Sequence, residues 1–322
     1  MSFLPERSRL TIGFAHVAYQ LADEFRSRGA PFAHFEAKSL EELQARVDEA
    51  DVLVLSGLWR NEFLDRAPKL RFVQSASAGT DQYDRARFTA RGVRLASAQG
   101  ANERAVAEHA MALMLGLSRL IHFARDDQAK AHWRGMLADR SRREQELGGQ
   151  TLVIVGLGRI GARLAGLAHA FGMRVIGVKR QPAEVPGVER VVPTAQLLEV
   201  LPQADVVALT CPLTPETEGL IGAAQLAAMK PTAALINVAR GRVVDEGALV
   251  AALQEQRIAS AGLDCFHEEP LPPSSPFWGM PNVIVTSHTA GETRRYETNV
   301  VDLLMENLER LYRGEPLRNG IV

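Results

Sequence analysis

Short apolar runs alternate with helical patterns from the start of the chain, and each run is a place where a strand is expected. LTIGF at 10–14, VLVLS at 52–56 and FVQSAS at 72–77 are such runs. Strands that alternate with helices pair in parallel through crossover connections. Near residue 100 the pattern changes. Asn102 is placed to cap a long helix on which Val106, Ala110, Leu113, Met114, Leu117 and Ile121 recur at helical spacing. Residues 123–148 are charged and poor in apolar side chains, which suits a solvated connector or a surface against a partner chain. A second alternating series then predicts strands at 151–156, 174–178, 205–210, 233–238, 260–264 and 283–287. The stretch Thr293 to Gly314 carries Val300, Val301, Leu304, Leu308 and Leu311 on one helical face and is expected to return to the first domain.

Two α/β domains with doubly wound parallel sheets follow from this pattern. A chain of 322 residues exceeds what one compact core usually holds. The expected division is one domain at 100–289 and another made of 1–99 and 290–322.

Composition narrows the function. The 37 basic and 38 acidic side chains leave a formal charge of −1, so neither nucleic acid nor an acidic membrane surface is expected as a partner. The opening MSFLPERSRLTIGF has charges on both sides of a short apolar stretch and no long apolar segment, which points to a cytoplasmic protein. Cys211 and Cys265 lie far apart and outside metal-ligand spacing, so they read as small core residues in a reducing compartment and no metal is expected.

The segment VIVGLGRIGARLAGLAHAFG places Gly156, Gly158 and Gly161 between an apolar strand and an amphipathic helix. In such a G-x-G-x-x-G turn the first glycine permits the tight turn, the second lets the backbone approach a pyrophosphate, and the third lets helix pack on strand. The helix N-terminus favours the anionic phosphates. An acidic residue usually meets the ribose about 20 residues further on. Here the second strand ends in Val178, Lys179 and Arg180, and a cation there suits the extra phosphate of NADP, with NAD still possible.

Catalytic groups are sought just after the strands of such a sheet. Arg240 follows LINVA, Glu269 stands in LDCFHEEPLP, and His288 stands in VTSHTAG. Reduction of a keto acid needs a proton donor at the carbonyl and a cation for the carboxylate. His288 and Arg240 supply them, and Glu269 raises the histidine pKa by accepting its hydrogen bond. His267 is a rival acid, placed in a loop rather than at a strand end.

The motifs GLGRIG at 156–161, CPLTPET at 211–217, NVARG at 237–241, EEP at 268–270 and SHTAG at 287–291 occur together and in order. With SAGTDQYD at 77–84 and VAE at 106–108, the chain resembles the D-isomer-specific 2-hydroxyacid dehydrogenase family, in the manner of its glyoxylate and hydroxypyruvate reductases. The resemblance implies a Rossmann cofactor domain inserted in a flavodoxin-like substrate domain, and a homodimer. It implies Arg240, Glu269 and His288 as catalytic, and substrate carboxylate binding by backbone amides around Ala78 and Gly79 together with Arg240. It implies Arg159 and Ile160 at the pyrophosphate, Pro212 and Thr217 lining the cofactor site, and Val238, Ala239 and Asp264 near the nicotinamide. Gly291 is counted with the cofactor residues. Asp264 read by itself is a strand-end cap, and Thr210 departs from the histidine many relatives carry there.

The expected reaction is hydride transfer between a nicotinamide and a small 2-keto acid such as glyoxylate or hydroxypyruvate, with substrate choice set near Ser56 to Trp59 and Ser77 to Gly79. Phosphite and phosphoglycerate dehydrogenases of the same fold are alternatives; many of the latter append a regulatory domain, whereas this chain stops at Val322. A catalytically silent nucleotide-sensing module is the alternative from another class.

Overall fold

A computed structural model describes residues 3–322. The chain forms two compact units. Unit 1 runs to Asn102 and resumes at Glu292–Val322, and unit 2 is Glu103–Gly291.

Unit 1 holds strands β1 (Thr11–Ala15), β2 (Ala33–Ala37), β3 (Val52–Leu55), β4 (Phe72–Ser75) and β5 (Arg94–Ala96), with helices α1 (Leu21–Ser27), α2 (Leu40–Arg46), α3 (Phe63–Arg66) and α4 (Arg85–Arg91). The strands form one parallel sheet in the order β2-β1-β3-β4-β5. All residues of β3 and β4 are buried, as expected for a parallel sheet covered on both faces. One face packs Phe14, Phe25 and Phe72 against the last helix, Tyr296–Arg313, through Val300, Val301, Leu304, Leu308 and Leu311. The other packs Trp59, Phe63, Tyr83 and Phe88. Trp59 is therefore a core residue, and of the loop read as setting substrate choice it is Ser56, Gly57 and Leu58 that reach the surface.

Unit 2 begins with α5 (Glu103–Ser118) and α6 (Ile121–Ala129). Its strands are β6 (Thr151–Val155), β7 (Arg174–Val178), β8 (Arg190–Val192), β9 (Val206–Leu209), β10 (Ala234–Asn237), β11 (Ser260–Leu263) and β12 (Val283–Val285). The helices among them are α7 (Arg159–Ala170), α8 (Leu197–Val200), α9 (Ala223–Ala228) and α10 (Glu246–Gln254). The parallel order is β12-β11-β10-β9-β6-β7-β8, so the chain reverses direction across the sheet between β6 and β9, the switch point where such sheets bind ligands.

Both units use one device at the opposite edge. Asp51, ahead of β3, accepts the Thr11 amide at the start of β1, and Asp205, ahead of β9, accepts the Thr151 amide at the start of β6. Each carboxylate satisfies a donor that the parallel ladder leaves over at the strand's first residue. Lys230 lies 2.6 Å from Asp205.

The pattern of apolar runs did not reveal β2, β5 or β8. All three are edge strands. β2 reads AHFEA with only Phe35 and Ala37 buried, and β5 and β8 have three residues each. Short and polar edges suppress unwanted pairing and also erase the apolar run. The charged 123–148 stretch is exposed over most of its length, and Trp133 and Met136 are 94% and 103% exposed. Among the described residues no helix is long and apolar enough to cross a membrane.

One polar side chain interrupts the apolar stripe of the last helix. Asn307 is fully buried, donates to Gln74 Oε1 at 2.9 Å and to the Arg318 carbonyl at 3.2 Å, and accepts the Arg318 amide at 2.8 Å. Asn307→Leu leaves Gln74 Oε1 and the Arg318 backbone without these partners. Urea unfolding should show unit 1 destabilised by about 1–3 kcal/mol; an unchanged midpoint would remove Asn307 as the tie between the last helix, β4 and the tail.

Candidate active site

The turn after β6 is built around its glycines. Gly156 has φ 103°, a conformation open to glycine, and a Cβ there would lie 2.5 Å from the Cys211 amide nitrogen. A Cβ on Gly161 would lie 2.2 Å from the Gly156 carbonyl oxygen, so the start of α7 can rest on the turn only with glycine at that position. A Cβ on Gly158 would meet nothing within 4 Å, and its side is open to a ligand. Thr210 donates its hydroxyl to the Gly156 carbonyl at 2.6 Å and holds the turn from the neighbouring strand.

Gly158 caps α7 with no side-chain hydrogen bond. The first backbone bond of this helix is Ala162 to Gly158, so the amides of Arg159, Ile160 and Gly161 are not used within it. A helix N-terminus with free amides beside an open glycine fits a pyrophosphate. The residues present thus fit a nicotinamide dinucleotide. Lys179, half-buried, and Arg180, exposed, end β7 at the same sheet edge, and the Lys179 amide donates to the Val192 carbonyl. Pro212 and Thr217 form the loop after β9, where the Thr217 hydroxyl donates to the Pro212 carbonyl at 2.7 Å and accepts the Thr214 amide at 2.8 Å.

Arg240 follows β10 on a turn shaped by Asn237. The Asn237 side chain, 1% exposed, accepts the Ala239 amide and donates to the Arg240 carbonyl, both at 3.0 Å. Asparagine is well suited to such a local turn. Val238 and Ala239 are buried. A Cβ on Gly241 would lie 2.0 Å from the Phe266 carbonyl carbon. The absence of a side chain there lets the loop after β11, which carries Glu269, close against the Arg240 turn.

In that loop Glu269 accepts the Phe266 amide at 2.9 Å through Oε1, and Oε2 lies 2.7 Å from His288 Nδ1. Burial pushes the Glu269 carboxyl up, but the His288 hydrogen bond, the Phe266 amide and the charges of His288 and Arg240 outweigh it and hold the carboxyl below its ordinary range. The hydrogen bond to Glu269 holds the His288 imidazole above its ordinary 6.5, against burial and the Arg240 charge. The pair therefore favours carboxylate with imidazolium. His288 itself has φ 56°, a left-handed conformation costing a non-glycine residue about 1–3 kcal/mol.

Asp264 supports that conformation. It is 1% exposed, and its oxygens accept the Thr286 hydroxyl at 2.5 Å and the Thr289 and Ala290 amides at 3.0 Å. Asp264, expected near the nicotinamide, thus directs both carboxylate oxygens into the segment that carries His288. Gly291 ends unit 2 just beyond it. His267 points elsewhere, with Nε2 2.7 Å from the Val244 carbonyl.

In unit 1, Ala78 and Gly79 follow β4 on a loop wired by serines. Ser75 Oγ accepts the Ser77 amide at 3.1 Å and donates to the Ser77 carbonyl at 3.0 Å, and Ser77 Oγ donates to the Gly79 carbonyl at 3.1 Å. The amides of Ala78 and Gly79 donate in none of these bonds. Reading the residues singly missed Asn237 and Thr286; of these only Asn237 carried a signal, its place at a strand end before a turn.

Comparison with known proteins agrees with this geometry. Residues 111–290 match the model of the D-isomer specific 2-hydroxyacid dehydrogenase NAD binding domain. A glyoxylate reductase of Korarchaeum cryptofilum is 38% identical over 280 residues, 84% of this chain and 82% of that protein. A D-3-phosphoglycerate dehydrogenase of Methanocaldococcus jannaschii is 37% identical over 87% of this chain but only 53% of its own length. The structure of an NADPH-dependent glyoxylate/hydroxypyruvate reductase from Sinorhizobium meliloti, in complex with NADP and malonate, superposes with a TM-score of 0.82 at 27% identity, covering 98% of this chain and 97% of that one. With its nicotinamide-binding fold, its glycine turn and its motif order, the chain is an oxidoreductase belonging to the D-isomer-specific 2-hydroxyacid dehydrogenase family.

Proposed function

We propose that this protein reduces a small 2-keto acid, of the size of glyoxylate or hydroxypyruvate, to its 2-hydroxy acid, with NADPH as the preferred donor. Unit 2 serves as the cofactor domain and unit 1 as the substrate domain. The observation that carries the reading is the His288 to Glu269 hydrogen bond within the field of Arg240. When bound, the nicotinamide supplies the hydride. His288 spends Nδ1 on Glu269, which leaves Nε2 to hand a proton to the substrate carbonyl oxygen. Glu269 stabilises the imidazolium before transfer and keeps the ring oriented after it. Arg240 pairs with the substrate carboxylate, and in unit 1 the amides of Ala78 and Gly79 are the donors offered to substrate. Val238, Ala239, Asp264 and Gly291 border the nicotinamide, and Arg159, Ile160, Pro212 and Thr217 border the rest of the cofactor.

Two supports favour this reading: the Korarchaeum relative is named a glyoxylate reductase and matches 84% of this chain, and the Sinorhizobium reductase is named as NADPH-dependent. Free, buried Cys211 and Cys265 suit a reducing compartment, and we place the protein in the cytoplasm.

The sign of the pH dependence follows from the pair. A raised His288 pKa keeps the donor protonated through 6.5 and loses it as pH rises through the higher folded value. The same rise removes the stability that the charged imidazole contributes, while the stability from Glu269 is lost as pH falls through its depressed value. The kcat/KM for reduction should be flat at mildly acidic pH and fall along a limb centred above 6.5. Glu269→Gln should move that limb to lower pH, and His288→Ala should cost about 10²- to 10⁴-fold in kcat with NADPH affinity intact. Full turnover in His288→Ala would sink the donor assignment.

Cofactor preference is tested by Lys179→Glu with Arg180→Glu. Losing charge-assisted hydrogen bonds worth about 1.5–3 kcal/mol should lower the NADPH to NADH ratio of kcat/KM by about 10- to 100-fold. An unchanged ratio would reduce the two cations to a solvated turn.

We also propose a homodimer, because Trp133, Met136, Ile121 and Phe123 expose large apolar surface beside side chains of both signs. Sedimentation of the wild type should give twice the chain mass, and Trp133→Glu with Met136→Glu should shift it toward the monomer; a monomeric wild type would refute this.

A further inference from the structure

A hydrogen-bonded chain in unit 2 reaches the His288 segment through contacts other than those of Glu269. His109, on α5, places Nε2 3.0 Å from Thr286 Oγ1, and the Thr286 hydroxyl lies 2.5 Å from Asp264 Oδ1. The proton directions are determined by the partners. Asp264 is already an acceptor, taking the Thr289 amide on Oδ1 and the Ala290 amide on Oδ2. Thr286 has one proton, and the 2.5 Å contact to Asp264 uses it. Its oxygen must therefore accept from His109, whose Nε2 carries hydrogen. The same nitrogen lies 3.6 Å from Asp264 Oδ1, and the His109 side chain is 23% exposed while that of Asp264 is 2%.

Thr286 and Thr289 bracket His288, which is held in a left-handed conformation uncommon for residues other than glycine. Asp264 takes three contacts from the segment, beside the bond from the Thr286 amide to the Leu263 carbonyl, and His109 is the group that fixes the Thr286 hydroxyl toward Asp264. Removing the Nε2 hydrogen frees the threonine to rotate, and one of the three contacts that orient the segment loses its direction.

We propose that His109 is a positioning residue for the proton donor, acting through Thr286 and Asp264. The inference rests on the reading of His288 as that donor. His109 does not reach the reacting atoms itself, so its loss should lower kcat and leave the cofactor site as it is.

The test compares His109→Ala, His109→Gln, Thr286→Val and His288→Ala in the full-length protein, with NADPH and glyoxylate. A displacement of about an ångström at a reacting group costs about 10- to 100-fold, so His109→Ala should lose that much kcat with the KM for NADPH changed by less than about two-fold. Glutamine carries its amide nitrogen about where histidine carries Nε2, and His109→Gln should recover most of the loss. Thr286→Val should match His109→Ala, and the double variant should be no worse than either.

A wild-type kcat in His109→Ala overturns the proposal. So does a loss that glutamine fails to recover and that comes with an equal loss of NADPH affinity, which would mark a packing defect. If His288→Ala is inactive while His109→Ala is normal, the proposal alone falls; if His288→Ala is fully active, the donor reading falls and takes the proposal with it. Imidazole ¹⁵N spectra provide a readout that needs no turnover. The His288 Nδ1–H signal, assigned by its absence in His288→Ala, should shift or broaden in His109→Ala, and an unchanged signal overturns the proposal.

Discussion

A parallel sheet gives every strand the same direction, and from this constraint the placement of the candidate site follows. In unit 2 the glycine turn follows β6, Lys179 and Arg180 follow β7, Thr210 follows β9, Arg240 follows β10, the Glu269 loop follows β11 and His288 follows β12. Because the seven strands are parallel, all of these connections leave from one edge. Both faces are covered by helices, so the edge is the surface left for chemistry.

Within that edge, close backbone approach does as much as side-chain chemistry. Gly156 meets the Cys211 backbone and Gly241 meets the Phe266 backbone, each with no room for a Cβ. The first contact joins the turns on either side of the switch point. The second seats the Glu269 loop against the Arg240 turn, so that the carboxylate reaches His288 and also feels the guanidinium. The electrostatics of the pair are a consequence of this packing: Glu269 lowered and His288 raised, each by the other.

The backbone at His288, the proposed donor, shows how a strained conformation is retained. Its left-handed conformation is unfavourable by itself, and it is offset by contacts to two carboxylates. Glu269 takes the ring nitrogen, and Asp264 takes the hydroxyl and amides of the flanking residues. Buried hydrogen bonds to a carboxylate are stronger than neutral ones, and several directed at one short segment leave it few alternatives.

The apolar runs announced the central strands of both units because those strands are buried on both faces, and the glycine turn announced the phosphate end of the cofactor site because its spacing is local. Arg240, Glu269 and His288 were legible by their positions after strands and by the motifs around them. Edge strands β2, β5 and β8 were hidden because each is short or carries polar residues, whereas the remaining edge strand, β12, reads VIV and was visible. Trp59 looked like a substrate-loop residue and is core, because burial depends on which neighbours fold over it. Asp264 showed only a strand-end cap, and His109 showed nothing: its partner Thr286 is 177 positions away. What the sequence by itself determined is whatever a local period or a spaced motif encodes, namely the two α/β series, the nicotinamide fold and the trio Arg240, Glu269 and His288 proposed as catalytic. The tertiary structure decided which way each side chain is satisfied, because a buried polar group is paired by whatever the fold brings to it, however distant along the chain.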